Sequence, residues 1–384
     1  MSRAGVAAVL AGVALIVTGC SEGTPAAQTN APQQQPKPKA VLEVSPAGGA
    51  EGVAPAGPFK VSVKDGTLTS VALTGADNRV VQGELSADKT SWLATEPLGY
   101  DKAYTWSGSA VGADGGNVPV AGTFHTVKPG TTIAARFDAG DDQTYGVAMP
   151  IAVKFSAPVK DKASVEKALK VETSVPTEGA WAWLDDAAVH WRPKEYWKPG
   201  TKVNVSAKLY GVPFGDGAFG LEDVSLRFNI GRALIATADT QTHRFVVTRD
   251  GQQIFDFPAS YGLESDPGRV TRSGIHVVSE RHDSFKMTNR RYNYENVPVQ
   301  WAVRISNNGE FVHAYPDSEY AQGKENVSHG CANLSTANAK AYFDEVIVGD
   351  PVVVTGSSVQ LGAEDRDYYD WSIPWETWTG KSAL

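Results

Sequence analysis

Residues 326 to 335 read NVSHGCANLS, which sets a thiol, Cys331, two positions after an imidazole, His329, and two before an amide, Asn333. The chain has two cysteines. The other, Cys20, belongs to an export signal described below, so Cys331 is left without a disulfide partner in a compartment where thiols are usually oxidised. An unpaired cysteine beside histidine points to nucleophilic chemistry. The reactive form is the thiolate, and a free thiol with a pKa of ~8.5 is only a few per cent ionised near neutrality. Gly330 removes a side chain next to the sulfur, so that substrate and backbone N–H groups can come close. A downstream helix would add the positive end of its dipole if it points at the sulfur. A histidine base would complete the set, and there are two candidates. His329 shares a face with Cys331 if the segment is extended. His313 stands at the end of a strand-like run, with fourteen residues between it and Ser328, a spacing that lets two segments converge on one site. Local geometry alone favours His329, while the spacing keeps His313 open. Two histidines and a cysteine would also supply three zinc ligands, but the nucleophile explains Gly330 and Asn333 as well.

The elements that must position these groups lie between 232 and 355. ALIATADTQTHRFVVTRDGQQIFDFPASYG alternates apolar and polar residues around Asp250-Gly251, the signal of a β-hairpin. SGIHVVSER is a further strand, and VQWAVRISNNGEFVHAYP reads as strand, Asn-Gly turn and strand. Between them RHDSFKMTNRRYNYEN, 281 to 296, is polar and aromatic with no periodicity, which predicts a loop or lid. Arg281, Lys286, Arg290 and Arg291 there are candidates to pair with an acidic substrate. After the cysteine, Ser335 is placed to cap a helix whose Ala339, Tyr342, Phe343 and Val346 share one face.

The N-terminus opens with Arg3, a short run of Ala, Val, Leu, Ile and Gly, and Val17-Thr18-Gly19-Cys20. The apolar run is too short to span a membrane and ends in small residues, the pattern of a cleaved signal. Its ending resembles a bacterial lipobox, which implies a signal peptide over 1–19 and a lipidated Cys20. Two or more acyl chains hold firmly, since each buried CH₂ contributes about 0.8 kcal/mol. The chain is therefore expected outside the cytoplasm, anchored on the outer face of the membrane. From Cys20 to residue 40 the sequence is Pro/Gln/Ala/Thr-rich and reads as a solvated tether, ~60 Å long if extended at ~3.1 Å per residue. With 35 basic and 43 acidic residues the formal charge is −8, which makes nucleic acid an unsuitable partner.

From 41 to about 230 one unit is used twice. GVAPAGPFKVSVKDG (52 to 66) parallels YGVAMPIAVKFSAPV (145 to 159), and each copy later carries a Trp, a proline turn and an alternating strand. Many short strands at a spacing near a hundred residues fit tandem immunoglobulin-like sandwiches, over 41–127 and 128–231. His125 and His190 stand alone in strand-like runs and read as packed or surface residues. Trp181, Trp183, Trp191 and Trp197 suit core packing, with a sugar-binding face as the alternative.

The full constellation then resembles one family. His313, fourteen residues, then Ser328-His329-Gly330-Cys331-Ala332-Asn333 is similar to the signature of the YkuD-type L,D-transpeptidases, a histidine followed at that interval by Ser/Thr-His-Gly-Cys-x-Asn. The layout of lipobox, two immunoglobulin-like domains, catalytic domain over 232–355 and Trp-rich tail over 356–384 resembles the large lipoprotein L,D-transpeptidases of mycobacteria and related actinobacteria. The resemblance implies a mostly β protein whose tail packs on a β-rich catalytic domain with a short helix. It implies that Cys331 is the acylated nucleophile and His313 its base, that His329 and Gly330 shape the site, and that the N–H groups of Gly330 and Cys331 are oxyanion donors. Ser328, Asn333, Tyr294 and Tyr292 would contact substrate; Tyr294 matches the family's lid tyrosine only with a one-residue offset relative to Trp301. Relatives often have Ser where Ala314 follows the histidine, so a bond orienting the imidazole has to come from a backbone carbonyl. The implied partners are peptidoglycan peptide stems as donor and acceptor and carbapenem inhibitors, with no cofactor and no metal. The implied reaction forms 3→3 cross-links, with water as acceptor giving L,D-carboxypeptidase activity. An inert envelope-binding protein is the non-enzymatic alternative, and the intact motif argues against it.

Overall fold

In the computed structural model residues 37–363 and 368–384 are described. The lipobox with Cys20 and most of the tether lie outside the described residues. The chain is mostly β, with the α-helices Lys162–Lys167, Thr336–Glu345 and Trp375–Thr379 among the described residues.

Nearest the N-terminus, two antiparallel sheets close on one core. Strands Val41–Ser45, Lys60–Lys64, Ser91–Ala94 and Gly83–Leu85 form one, and Gly66–Gly75, Ala103–Gly112 and Asn117–His125 the other. Their alternating inward residues, among them Val61, Leu73, Trp106 and Phe124, are all but sealed from water. A second sandwich follows the same plan. Its two four-stranded sheets enclose Ile151, Val153, Trp181, Trp183, Trp191 and Trp197. The four tryptophans are buried, so they supply core area and present no sugar-binding face. The two sandwiches are tied by a pair of tyrosines: Tyr100 Oη donates to Gly220 O (2.7 Å) and Tyr210 Oη to Leu98 O (2.6 Å).

The third unit holds the site. A five-stranded sheet runs Gln252–Pro258, Arg244–Arg249, Leu234–Asp239, Pro351–Thr355, Gly274–Val277, with the Leu234 and Pro351 strands parallel. The Arg244–Arg249 and Gln252–Pro258 strands turn at Asp250 (φ 51°) and Gly251 (φ 82°), both in the left-handed region that a two-residue hairpin loop needs. A four-stranded sheet runs Glu280–Asn289, Tyr294–Arg304, Phe311–Ala314, Ala332–Leu334. Ser335 caps the helix Thr336–Glu345 by accepting from Asn338 N, a bond that contributes about 1 kcal/mol. The helix buries Ala339, Tyr342 and Phe343 in the core the two sheets share.

Two expectations change. Residues 281–296 are no irregular lid: they belong to a long hairpin, Glu280–Asn289 paired with Tyr294–Arg304 around a 3₁₀ turn at Arg290–Tyr292. Its apolar alternation is confined to Phe285 and Met287 opposite Val299 and Val297, too short beside the charged residues to show as a period. A bulge at 300–303, with Trp301 at φ 55°, re-aims the strand and lies at the point of the one-residue offset. The tail, expected on the catalytic domain, touches that domain through 357–361, where Ser358 N donates to Glu264 Oε1 (2.7 Å) and Leu361 N to Ser273 O (2.8 Å), and reaches the second sandwich as well. Trp378 Nε1 donates to Ala180 O (2.9 Å), Trp371 Nε1 to Ala148 O (2.7 Å), and Asp370 pairs with His190 (2.9 Å). Ser372 also reaches the catalytic sheet, accepting from Ile275 N at 3.2 Å. An Arg192 guanidinium on that sandwich stacks against Trp371, Trp375 and Trp378, so the tail's aromatic richness serves as a clamp.

Candidate active site

The Phe311–Ala314 and Ala332–Leu334 strands pair in parallel, with Val312 opposite Ala332 and His313 opposite Asn333. Because side chains alternate along each strand, His313 and Asn333 rise from the same face, and Cys331 continues that face one alternation earlier. This is the reason for the Cys-x-Asn spacing. His313, Asn333, Cys331, Ser328, His329, Tyr292 and Tyr294 all line one cavity of 440 Å³.

Both chemical groups on the floor are sequestered. Cys331 is 7% exposed and His313 4%. The sulfur packs in an apolar cluster with Met287, Val299, Ala302 and Phe311. Burial pushes the thiol up to about 12, opposed in part by the Phe311 backbone N–H; the carboxylate of Glu310 adds to the rise. Burial likewise takes His313 down to about 4. At neutral pH the pair is thiol and neutral imidazole. The helix after the cysteine does not rescue the thiolate: a strand intervenes, and its first turn is capped by Ser335.

The tautomer of His313 follows from its partner. Nδ1 lies 2.9 Å from Ala314 O, and a carbonyl only accepts, so Nδ1 carries the hydrogen and Nε2 is left as the acceptor. The thiol hydrogen, meanwhile, is directed at Gly309 O, 3.7 Å from Sγ.

His329 is placed differently. Gly330 has φ +117°, which breaks the extended alternation that would have put His329 and Cys331 on one face. His329 is exposed on the rim, its ring 5.0 Å from that of Tyr292 and 5.3 Å from that of Tyr294. Partial burial and the Arg269 charge hold it below the ordinary histidine value against the pull of Asp266. Gly330 is required by this backbone conformation rather than by crowding, since a Cβ there would meet nothing nearer than Glu310 Cγ at 3.5 Å.

Ser328 closes the loop on itself. Its hydroxyl donates to Cys331 O (2.6 Å) and accepts from Gly330 N (3.2 Å). The Gly330 N–H is thus engaged, and the expectation of two backbone oxyanion donors reduces to the Cys331 N–H. Of the lid tyrosines, Tyr292 turns its hydroxyl toward Asp266 Oδ1 (3.4 Å). Tyr294 packs against the apolar cluster that holds Cys331, and burial raises its phenol.

The basic residues proposed for acidic substrate do not line the cavity. Arg281 donates to Phe343 O and stacks on that ring, and Arg290 pairs with Glu295 at 3.4 Å. Sequence reasoning also missed what stands behind the sulfur. Glu310, 2% exposed, accepts from Ser306 Oγ (2.6 Å) and Arg272 N (3.0 Å) and so fixes the 309–311 segment against the thiol. Thr271 Oγ1 donates to Gly330 O (2.8 Å), and Arg269 Nε to Ser328 O (3.1 Å). A charge following a glycine turn and a polar stretch at 269–272 carry no local signal of such roles.

The chain is similar to known proteins. The family model of the L,D-transpeptidase catalytic domain, YkuD, matches residues 234–354, and a bacterial Ig domain model matches residues 50–213. L,D-transpeptidase 5 of Mycobacterium tuberculosis (strain ATCC 25618 / H37Rv) is 52% identical over 361 residues, 93% of this chain and 80% of that protein. The chain belongs to the YkuD-type L,D-transpeptidases. L,D-transpeptidase 2 of M. tuberculosis (strain CDC 1551 / Oshkosh) is 37% identical over 379 residues, 97% of this chain and 90% of that one. Among solved structures, LD transpeptidase LdtMt1 in complex with imipenem is 33% identical with a TM-score of 0.49, covering 57% of this chain and 97% of its own. An L,D-transpeptidase from Mycobacterium smegmatis is 31% identical with a TM-score of 0.47, covering 58% and 99%. As an L,D-transpeptidase the protein is an acyltransferase of peptidoglycan cross-linking.

Proposed function

We propose that Cys331 is the acylated nucleophile and His313 its general base in the formation of 3→3 cross-links. The carrying observation is the shared cavity wall: a His313 with Nδ1 bound to Ala314 O, and a protonated thiol opposite the same strand register. The thiol hydrogen turns from Gly309 O to His313 Nε2 as sulfur attacks the carbonyl at the L-centre of meso-diaminopimelate in a tetrapeptide stem. The C–N bond to D-Ala breaks, and His313 returns the proton to the leaving amine. The side-chain amine of a second stem then attacks the thioester, forming an amide and releasing the sulfur; water in its place gives L,D-carboxypeptidase activity. Cys331 N–H and the Tyr294 hydroxyl serve the oxyanion. Atoms and electrons balance without a cofactor. Asn333 and Ser328 hold the floor, and His329 and Tyr292 the rim.

The same reading takes the chain as exported and lipidated at Cys20, with the tether and sandwiches setting its reach into the wall. Cys20→Ser should then move it from the membrane fraction to a soluble exported form. A strained β-lactam amide offers the same carbonyl chemistry, and a structural relative has been solved with imipenem. Intact-protein mass spectrometry after meropenem, followed by peptide mapping, tests the nucleophile. One drug mass on Cys331 is expected; an adduct elsewhere, or none, defeats the assignment.

A further inference from the structure

The cavity wall carries one formally charged side chain, Asp317. Both histidines on the wall are held below their ordinary values and are neutral near pH 7, so Asp317 is the charge on the wall itself, with Glu310, Arg304, Arg269 and Asp266 acting from behind it. Asp317 is exposed and has no ion pair or side-chain hydrogen bond among the described residues. Its backbone, by contrast, is firmly held. It sits in the 3₁₀ turn Pro316–Ser318, three residues after the strand that carries His313. Pro316 presets that turn. Buried Ser318 donates to Tyr315 O (2.9 Å), and Gln322 Nε2 donates to Ser318 Oγ (3.3 Å). The Tyr315 ring bridges back to His313, centroids 6.0 Å apart. An unpartnered anion on a rigid turn joined to the base is a site for a cation that must meet the base.

We infer that Asp317 receives the primary ammonium of the acceptor stem and so selects an amine over water in the second step, an inference that rests on the acyl-transfer reading above. The acceptor arrives as R–NH₃⁺. One proton leaves to solvent; the second passes to His313 as the C–N bond forms and the C–S bond breaks, and from His313 to sulfur. Asp317 concentrates the cation beside the thioester and does not exchange protons with it. Water gains nothing from a carboxylate in this way. The donor stem also carries an ammonium, and the two sources are separated by which step responds.

The test uses the full-length protein, Asp317→Asn and Asp317→Glu, with a disaccharide tetrapeptide containing meso-diaminopimelate as donor and acceptor. Cross-linked dimer and hydrolysed tripeptide are measured together. Asp317→Asn should lower the dimer-to-tripeptide ratio two- to fivefold, the size expected of a solvated charge pair. Asp317→Glu should restore most of it, and added salt should lower the ratio in the native protein more than in Asp317→Asn. An unchanged ratio overturns the inference. A fall in D-Ala release with the ratio preserved also overturns it, by assigning the carboxylate to the donor. If the native protein forms no dimer while meropenem still acylates Cys331, the acceptor assignment fails and the nucleophile stands; if Cys331 is not acylated either, the underlying reading fails with it.

Discussion

The floor and the rim of the cleft are built on opposite principles. On the floor, His313 stands on a strand and Cys331 immediately before the strand paired with it, both buried and neutral and held by that register. On the rim, His329, Tyr292 and Tyr294 stand on a glycine-dependent loop and a bulged hairpin, where exposure is partial and ring contacts replace register. A strand pair places two groups within the tolerance that proton transfer demands, whereas a hairpin above it can adapt to substrates of different shape. The two histidines of one motif therefore have different work. Substitution should separate them: His313→Ala should lower the acylation rate by about 10² to 10⁴, and His329→Ala by less than about tenfold. Stopped-flow acylation by meropenem measures both, and the reverse order would make the rim histidine the base.

The next largest effect should come from the tyrosines. Removing one oxyanion donor costs about 10² or more where the donor is fully engaged, and Tyr294, on a partly exposed hairpin, should fall below that, at roughly tenfold for Tyr294→Phe. Tyr292→Phe should cost at most about twofold, since its hydroxyl is turned to Asp266. A larger loss for Tyr292→Phe would show that the hairpin shifts by a residue on closing. Smaller in rate but visible in stability, Gly330→Ala should lower the unfolding free energy by about 1–3 kcal/mol, because φ +117° is costly for any side chain even where space exists. Urea denaturation checks it; an unchanged midpoint would mean that the loop relaxes and that Ser328 alone holds it.

The floor was legible in the sequence through the motif His313 and Ser328-His329-Gly330-Cys331-Ala332-Asn333 and the family it resembles, since local geometry by itself favoured His329. The physical reason for the motif is the parallel pairing that sets His313 opposite Asn333, with Cys331 one alternation before it. The rim was not. A residue at φ +117° looks in sequence like any permissive glycine, and it reversed the geometric case for His329. The lid hairpin was hidden because its inward residues, Phe285 and Met287, are flanked by charges that pair locally or with the helix, as Arg281 does with Phe343. Glu310 and Asp317 were equally silent. Each matters through what surrounds it in space: Ser306 and Arg272 around the first, and, among the described residues, no ion pair for the second on the cavity wall.

The smallest expected change is none, and it sharpens the contrast most. If the floor rested as thiolate and imidazolium, acylation would show an acid limb near neutrality as the ion pair gained a proton. The buried pair shows the opposite arrangement, with His313 held down to about 4 and the thiol pushed up to about 12. Between those values the base is free and the sulfur keeps the proton it must deliver, so the reactive protonation state is the resting one. Lowering the pH through about 4 protonates His313 and removes the acceptor, so the rate should fall with falling pH only there. From pH 5 to 9 the second-order rate constant for acylation by a neutral thiol-reactive probe should be flat. A substrate that desolvates the cleft further would extend the plateau, since burial is the first cause of both shifts. Titrating that rate constant between pH 4 and 10 decides the matter: an inflection between 6 and 8 would make the floor an ion pair and assign the activation to the rim.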